Sequence, residues 1–560
     1  MASTRSADND LLAPQERPAK RPRPSVEPVE QEGNVQAAGS GEAPVGDEEE
    51  GEDEEDPMEA QDAASSRRSD LYLDTVNRQT LDFDFEKVCS ISLSNINVYG
   101  CLVCGKYFQG RGKSTFAYAH SIHEDHHVFL NLETQKVYIL PDGYEVHDPS
   151  LDDIAAVLAP VFTPAQVAEL SSPSHIHKLS YDLSSKPYLP GFVGLNNIKR
   201  NDYLNVVIHV LAHITPLRDF FLLFKPIKPA ATVATTKGSA PAAPTARSSE
   251  LLNRFAALVK KLWNPRLFKA QVSPHDFLQE VVRASGGKFK ITEQGDPVDF
   301  LGWLLNHLHV DLGGSKKRSS VVHATLQGNL KVESQQVVAR PDWEGNQRTE
   351  FRIDEESKIQ RSPFLFLSVD LPPPPLFQDA VEKNIIPQVS LASVLAKYDG
   401  KTVQESGAQV RRFKCEKLPP FIILHFKRFT KNMFVEEKNP TIVNFPLKGI
   451  DFSPYVETNG SPPNPIPYDL VSNVVHESTA GTTRDKANTV WKVQLRAGRV
   501  GGSPVASTLG TGAGAEDEKW FQLQDLVVEE VQKEMIFLGE TVLQVWQRRD
   551  ITDTLMRHAA

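Results

Sequence analysis

The segment CLVCGKYFQGRG, Cys101 to Gly112, followed by AHSIHEDHH, Ala119 to His127, restricts the fold of this chain more than any other stretch. Two thiols spaced Cys-x-x-Cys sit on one tight turn and supply half of a tetrahedral zinc site. Four histidines, His120, His123, His126 and His127, follow closely enough to supply the rest. A borderline-soft dication is satisfied by two thiolates and two imidazoles. The expected ligands are Cys101, Cys104 and two of the four histidines, with Cys89 as a substitute. With four protein ligands no position remains for water, so the single expected zinc is structural. A thiol pair beside a metal-free histidine loop is the plainer alternative, and it leaves the clustering without a cause.

The rest of the chain must be divided, because 560 residues exceed what one core can bury. Residues 1–68 hold almost no large apolar side chains and are rich in Ala, Pro, Glu, Asp and Ser, so they are expected to be disordered. Within them PAKRPRP, Pro18 to Pro24, has the composition of a nuclear-import signal, and DEEEGEDEED, Asp47 to Asp56, reads as a solvated acidic spacer. The net charge of −11 argues against a broad nucleic-acid surface but leaves room for local basic patches. RRFKCEK (Arg411 to Lys417) and KRFTKN (Lys427 to Asn432) are two candidates. No apolar run reaches membrane-spanning length, and four cysteines exclude a disulfide scaffold and fit a reducing compartment inside the cell.

Ordered sequence is expected from about Leu71. Two alternating runs in HVFLNLETQKVYIL, His127 to Leu140, read as strands. LDDIAAVLAPVFTPAQVAELSS reads as two short helices, the second capped by Thr163 with Pro164 at its first position. DYLNVVIHVLAHI, from Asp202, is apolar on more than one face and is expected to be largely buried. Helical patterns return in ELLNRFAALVKKLW and DPVDFLGWLLNHLHVDL. After Val321 the texture is strand-like, in SPFLFLSVDLP, LPPFIILHFKRF, WKVQL and KWFQLQDLVV. Low-complexity insertions occupy 228–250 and 496–518. Helices first and strands after indicate an α+β fold.

Several of these stretches resemble one known family in both content and order. CLVCGKYFQGRG with the following AYAHS and FLNL is similar to the ubiquitin-protease zinc finger. GLNNIKRNDYLN, Gly194 to Asn205, resembles the Cys box of ubiquitin-specific proteases. QGDPVDFLGWLLNHLH, Gln294 to His309, resembles their Gln-Gln-Asp box, and LPPFIILHFKRF their Leu-x-Leu-Lys-Arg-Phe strand. VNFPLKGIDFSPY, YDLVSNVVHES and WFQLQDLVV follow in family order. The resemblance implies a papain-like fold of thumb, palm and fingers behind a small α/β zinc finger. It divides the chain into a tail at 1–68, the finger at 69–148, a helical linker at 149–190 and a protease-like domain at 191–550, broken by the two insertions. It also narrows the zinc ligands to Cys101, Cys104, His120 and His126.

The same resemblance implies that the protease chemistry is gone. That chemistry uses a thiolate, a histidine base, a residue orienting the imidazole and an amide donor to the oxyanion. Residue by residue, Asp202 stands at the Cys, Arg200 at the oxyanion-hole Asn, Val490 at the His and Gln524 at the orienting Asp or Asn. His476 occupies the family's earlier Val-Val-x-His position and is expected to be packed, not catalytic. Active relatives often carry two Cys-x-x-Cys pairs in the fingers for a second zinc; here only Cys415 remains. The expectation is an inactive splicing factor of the ubiquitin-protease-like subgroup named for defective snRNP assembly. Such a protein is a nuclear scaffold whose partners are tri-snRNP proteins and snRNA. A ubiquitin or ubiquitin-like reader without protease activity is the alternative, with Tyr107 and Arg111 as contacts for the ubiquitin tail.

Overall fold

The computed structural model describes residues 72–551 except residue 85 and the segments 172–177, 227–248, 342–348, 354–355, 374–385, 407–408, 432–435, 458–463, 480–487 and 499–517. The acidic tail, its basic cluster and nearly all of both insertions lie outside the described residues.

A period of two builds the first sheet. Strands β1 (Val98–Cys101), β2 (Tyr107–Gln109), β3 (Val128–Asn131), β4 (Val137–Ile139) and β5 (Tyr144–Val146) pair antiparallel in the order β2-β1-β3-β4-β5. Helix α1 (Phe116–His123) lies between β2 and β3; α2 (Asp152–Leu158) and α3 (Pro164–Leu170) follow β5. Val98, Tyr107, Leu130, Val137 and Ile139 share one core with Ile154 and Leu158 of α2. Their sequence neighbours Tyr99, Cys101, Phe108, Phe129 and Tyr138 form a second core on the opposite face. Thr163 caps α3 through a reciprocal pair of bonds with Gln166, and Pro164 opens it. Phe268 completes the first core from the far side of the chain, and ion pairs Lys261–Asp84 and Lys269–Asp82 tie the segment before β1 to the same region.

The thumb comprises α4 (Asp202–Ala212), α5 (Thr215–Leu223), α6 (Glu250–Leu262), α7 (His275–Ala284), α8 (Pro297–Asp311) and α9 (Val321–Leu326). Every residue of α4 is buried, because Val206, Val207, Ile208, Val210 and Leu211 spread apolar surface around the whole cylinder. In contrast, α6 buries one stripe, Leu251, Phe255, Leu258 and Leu262 among it, and is capped by Ser249.

The fingers comprise β6 (Gly328–Pro341), β7 (Thr349–Ile353), β8 (Lys358–Phe364), β10 (Gln404–Ser406) and β11 (Gln409–Lys417), with β9 (Leu367–Asp370) leading from them into the palm. Their order is β7-β6-β11-β10, with β8 also paired to β6. Cys415 of β11 is fully buried in the palm core, and burial pushes its thiol up to about 12. It behaves as a small apolar residue.

The palm adds β12 (Phe421–Lys427), β13 (Pro467–Thr479), β14 (Asn488–Ala497), β15 (Lys519–Gln524), β16 (Val527–Val531) and β17 (Thr541–Arg548). The order is β9-β12-β17-β13-β14-β15-β16, parallel only at β9–β12, with Ile450–Asp451 also paired to β13. Helix α4 packs on β14, which sets the first turn of α4 against the start of that strand.

Candidate functional site: the metal centre and the Asp202 cleft

The metal centre is set by one turn and one helix. Cys101 ends β1, and the turn after it closes through Gly105 N–H to the Cys101 carbonyl at 2.9 Å and Cys101 N–H to the Lys106 carbonyl at 2.9 Å. Gly105 has φ +75°, and a Cβ there would stand 2.4 Å from the Thr80 carbonyl oxygen, so the turn requires glycine. His120 comes from the last turn of α1, stacked on Phe108 with ring centroids 4.2 Å apart. His126 follows the left-handed Asp125.

One ligand atom each from Cys101, Cys104, His120 and His126 lies within 4.8 Å of all the others. Cys104 Sγ is 3.4 Å from His120 Nε2, which is 3.1 Å from His126 Nδ1. A zinc tetrahedron with ordinary Zn–S and Zn–N bonds has edges of about 3.3–3.8 Å, so the set fits one ion. The hydrogen bond from Cys101 pulls the Cys104 thiol down, and donating that bond, with burial, pushes Cys101 up. Zinc would take both as thiolates and close the site as a folding clip.

The other histidines are excluded by position. His123 is exposed, while both ring nitrogens of His127 are engaged, by the Leu140 carbonyl at 2.7 Å and Asp125 Oδ1 at 2.9 Å. Cys89 is buried outside the cluster, its sulfur accepting from Ser92 N–H. The proposed ubiquitin-tail contacts are not brought together either. Tyr107 points into the apolar core, away from the metal face, and its hydroxyl donates to the Asp82 carbonyl at 2.7 Å. Arg111 lies over the Tyr138 ring at 4.5 Å and donates to the Gly143 carbonyl.

At the cleft, Asp202 is the first residue of α4 and is 5% exposed. Its Oδ2 accepts from Gln294 Nε2 at 2.6 Å and from Trp491 N–H at 3.1 Å; Oδ1 is buried, with no side-chain partner among the described residues. Burial pushes this carboxyl above its ordinary value, against the bonds from Trp491 and Gln294. Gln294 is itself fixed by Thr489, whose hydroxyl donates to Oε1 and whose carbonyl accepts from Nε2. One carboxylate thus joins the thumb, the loop before α8 and the palm strand β14.

A second network lies beside it. Asn201 Nδ2 donates to Asn205 Oδ1 at 3.0 Å, Asn205 Nδ2 to Asp525 Oδ1 at 3.2 Å and Asn197 Nδ2 to Asp525 Oδ2 at 2.9 Å. Leu195 N–H donates to the Asp525 carbonyl, and Gly194 admits the 525–526 turn so closely that a Cβ would stand 2.7 Å from Leu526 Cα. Gln294, Asn197, Asn201 and Asp525 were not expected as members of the site. Gln294 and Asn197 stand inside the quoted boxes, and Asp525 follows Gln524 in a turn with positive φ, so their types and places were available to be read.

Arg200 is not part of this network. Its side chain is exposed, and its backbone N–H donates to the Ile291 carbonyl. Val490 lies between Thr489 and Trp491, the two residues of β14 that touch the Gln294–Asp202 pair. Gln524 is half-buried at the end of β15. His476 faces Trp491 across the β13–β14 pair, ring centroids 4.5 Å apart, and burial pushes it down to about 4; it is a neutral, packed imidazole.

A Cys2His2 finger ahead of thumb, palm and fingers, with the Cys-box helix against the palm, defines a ubiquitin-protease-type architecture. The chain belongs to the ubiquitin carboxyl-terminal hydrolase family, whose model matches residues 193–552, and the Zn-finger in ubiquitin-hydrolases and other protein matches residues 89–151. It is 45% identical over 498 residues to a probable mRNA-splicing protein, ubp10, of Schizosaccharomyces pombe, covering 88% of this chain and 91% of that one. It is 45% identical over 496 residues to the human ubiquitin carboxyl-terminal hydrolase 39, covering 86% and 80%. It is 31% identical over 491 residues to the pre-mRNA-splicing factor SAD1 of Saccharomyces cerevisiae, covering 86% and 93%. A solved structure described as an essential yeast splicing factor matches with a TM-score of 0.62 at 29% identity, covering 86% of this chain and all of that one.

Proposed function

We propose that this chain is a nuclear, non-catalytic scaffold of pre-mRNA splicing that helps to assemble or hold the U4/U6-U5 tri-snRNP. The observation that carries the non-catalytic part is Asp202, a buried carboxylate held by Gln294 and Trp491 where the family places its thiol. Attack by a carboxylate on a peptide carbonyl would form an anhydride, a poor route to isopeptide cleavage. No histidine occurs between Asn488 and Gln547, so no base faces that position from β14 or β15. The splicing part rests on relatives named as splicing proteins that match most of their own length.

The ubiquitin-reader alternative has less support in the finger, because Tyr107, one of its two named contacts, is internal. The test is gentle purification of the tagged protein from nuclear extract and sequencing of the RNAs it retains. Joint enrichment of the three tri-snRNP small nuclear RNAs is expected. Their absence, with ubiquitin conjugates recovered instead, would favour the reader. A fluorogenic ubiquitin substrate should show no turnover above buffer.

A further inference from the structure

We propose that the exposed face of α8, with the basic loops at its two ends, is a binding track for a short stretch of single-stranded RNA. The inference rests on the splicing reading and gives it a surface. Helical spacing puts Asp299, Trp303, Asn306 and Val310 on one stripe, with His307 at its margin, and all five are exposed or half-buried. The Trp303 and His307 rings are 4.3 Å apart at 35°, and His307 Nδ1 lies 2.9 Å from the Trp303 carbonyl, which fixes the imidazole. Phe289 and Phe300 brace the indole. The half-buried His307 ring, held against the indole, offers a surface platform on which any base can stack.

Cations mark both ends. Beyond the C-terminus, Gly313 and Gly314 N–H groups bond to the Val310 and His309 carbonyls, and Ser315 and Arg318 close a turn by reciprocal bonds of 2.9 and 3.2 Å. Lys316, Lys317 and Arg318 of this turn are exposed, with no acidic partner among the described residues. At the N-terminal end, the bond from Arg200 N–H to the Ile291 carbonyl brings Lys199 and Arg200 beside the loop of Lys288 and Lys290. Lys288 reaches Asp299 at 3.8 Å and Lys290 reaches Glu293 at 3.1 Å, whereas Lys199 and Arg200 have no acidic partner among the described residues.

The helix dipole accounts for cations beyond the C-terminus of α8 but disfavours them at the other end, and it does not account for the rings. A polynucleotide accounts for all three, with phosphates at the basic ends and bases on the platform. The helix spans roughly 22 Å, room for on the order of four nucleotides. The formal charge of −11 resides in residues 1–68, which hold 18 acidic and seven basic residues, so the remainder is balanced and does not oppose the local field. The basic stretches singled out in the sequence suit the task less. Arg428 is buried and bonded to carbonyls, Lys427 pairs with Asp370, and Arg412 donates to Gln335.

Fluorescence anisotropy of the full chain with a short labelled oligouridine, at low and at physiological salt, tests the track. Lys316→Ala/Lys317→Ala/Arg318→Ala is expected to weaken binding at least about tenfold and to lower the salt slope by about two. His307→Ala should weaken it about fivefold through lost stacking. Lys316→Arg/Lys317→Arg should keep wild-type affinity, which separates loss of charge from loss of fold. Ultraviolet crosslinks should fall within residues 288–318. Equal binding by the triple alanine variant overturns the proposal, as does no binding by the wild type. Preferential binding of labelled polyglutamate to the same face also overturns it, in favour of an acidic protein partner. Failure of tri-snRNP RNAs to co-purify would remove the splicing reading and leave the oligouridine result standing; equal binding by the variants would do the reverse.

Discussion

The polar side chains of the finger converge on a point that an ion can fill, whereas those of the Asp202 cleft converge and close on one another. At the finger, Cys101, Cys104, His120 and His126 keep sulfur and nitrogen at tetrahedral spacing, because a clip that holds the domain together works only with those atoms. At the cleft, Asp202, Gln294 and Trp491 form a bridge between elements, and Asn197, Asn201, Asn205 and Asp525 satisfy each other beside it. A site kept for folding retains its residue types. The cleft instead pairs most of its buried groups with one another across three elements.

The largest way to break the comparison is at the ligands. Metal analysis of the purified chain should give one zinc. Cys104→Ala or His120→Ala should remove it and unfold the finger, since ion binding in such modules contributes on the order of 10 kcal/mol to folding. Protease sensitivity confined to the region around residues 89–151 would be the readout. Retained zinc with an intact finger would mean that Cys89 or His123 had taken the vacant position.

Next come the two close approaches that only glycine allows. Gly105→Ala combines a left-handed backbone with overlap on the Thr80 carbonyl and should destabilise the finger by about 3 kcal/mol. Gly194→Ala meets Leu526 Cα and should destabilise the thumb–palm junction by about 2 kcal/mol. Urea melts followed by zinc release for the first and by tryptophan emission for the second would separate the two regions.

How much of each region was legible follows from the same contrast. The finger's ligands were readable because metal chemistry restricts both residue type and spacing, and only the choice among four histidines needed the resemblance, on which the structure agrees. The buried helix α4 was readable from its all-round apolar pattern, and the α3 cap from Thr163, Pro164 and Gln166. Tyr107, offered as a tail contact by the resemblance alone, is internal, because the period of β2 decides which core it enters. The Asn–Asp network was missed because its members are ordinary polar residues of loops and a helix start, separated by more than 300 positions between Asn197 and Asp525. Only the fold brings them together.

Within the cleft, Asp202→Ala leaves Gln294 and the Trp491 N–H without their acceptor and should destabilise by about 2 kcal/mol in urea denaturation. Asp202→Cys restores the nucleophile but not the base, so turnover of a fluorogenic ubiquitin substrate should stay at background. Turnover above background would place a histidine at the cleft that β14 does not supply.

The smallest effect tests whether the bridge depends on charge. Burial raises the Asp202 carboxyl in the folded state above its unfolded value. A raised folded value means that the carboxyl contributes stability when protonated and loses that contribution as pH rises through the folded value. Asp202→Asn keeps one oxygen to accept from Gln294 and Trp491 and cannot titrate. At neutral pH the variant should lie within about 1 kcal/mol of the wild type. As pH falls from neutral into the carboxylate range, stability should shift in favour of the wild type relative to the variant, measured as paired urea melts. A difference that moves the other way would mean that Asp202 is stabilised as an anion, and that the bridge is held by its charge rather than by its shape.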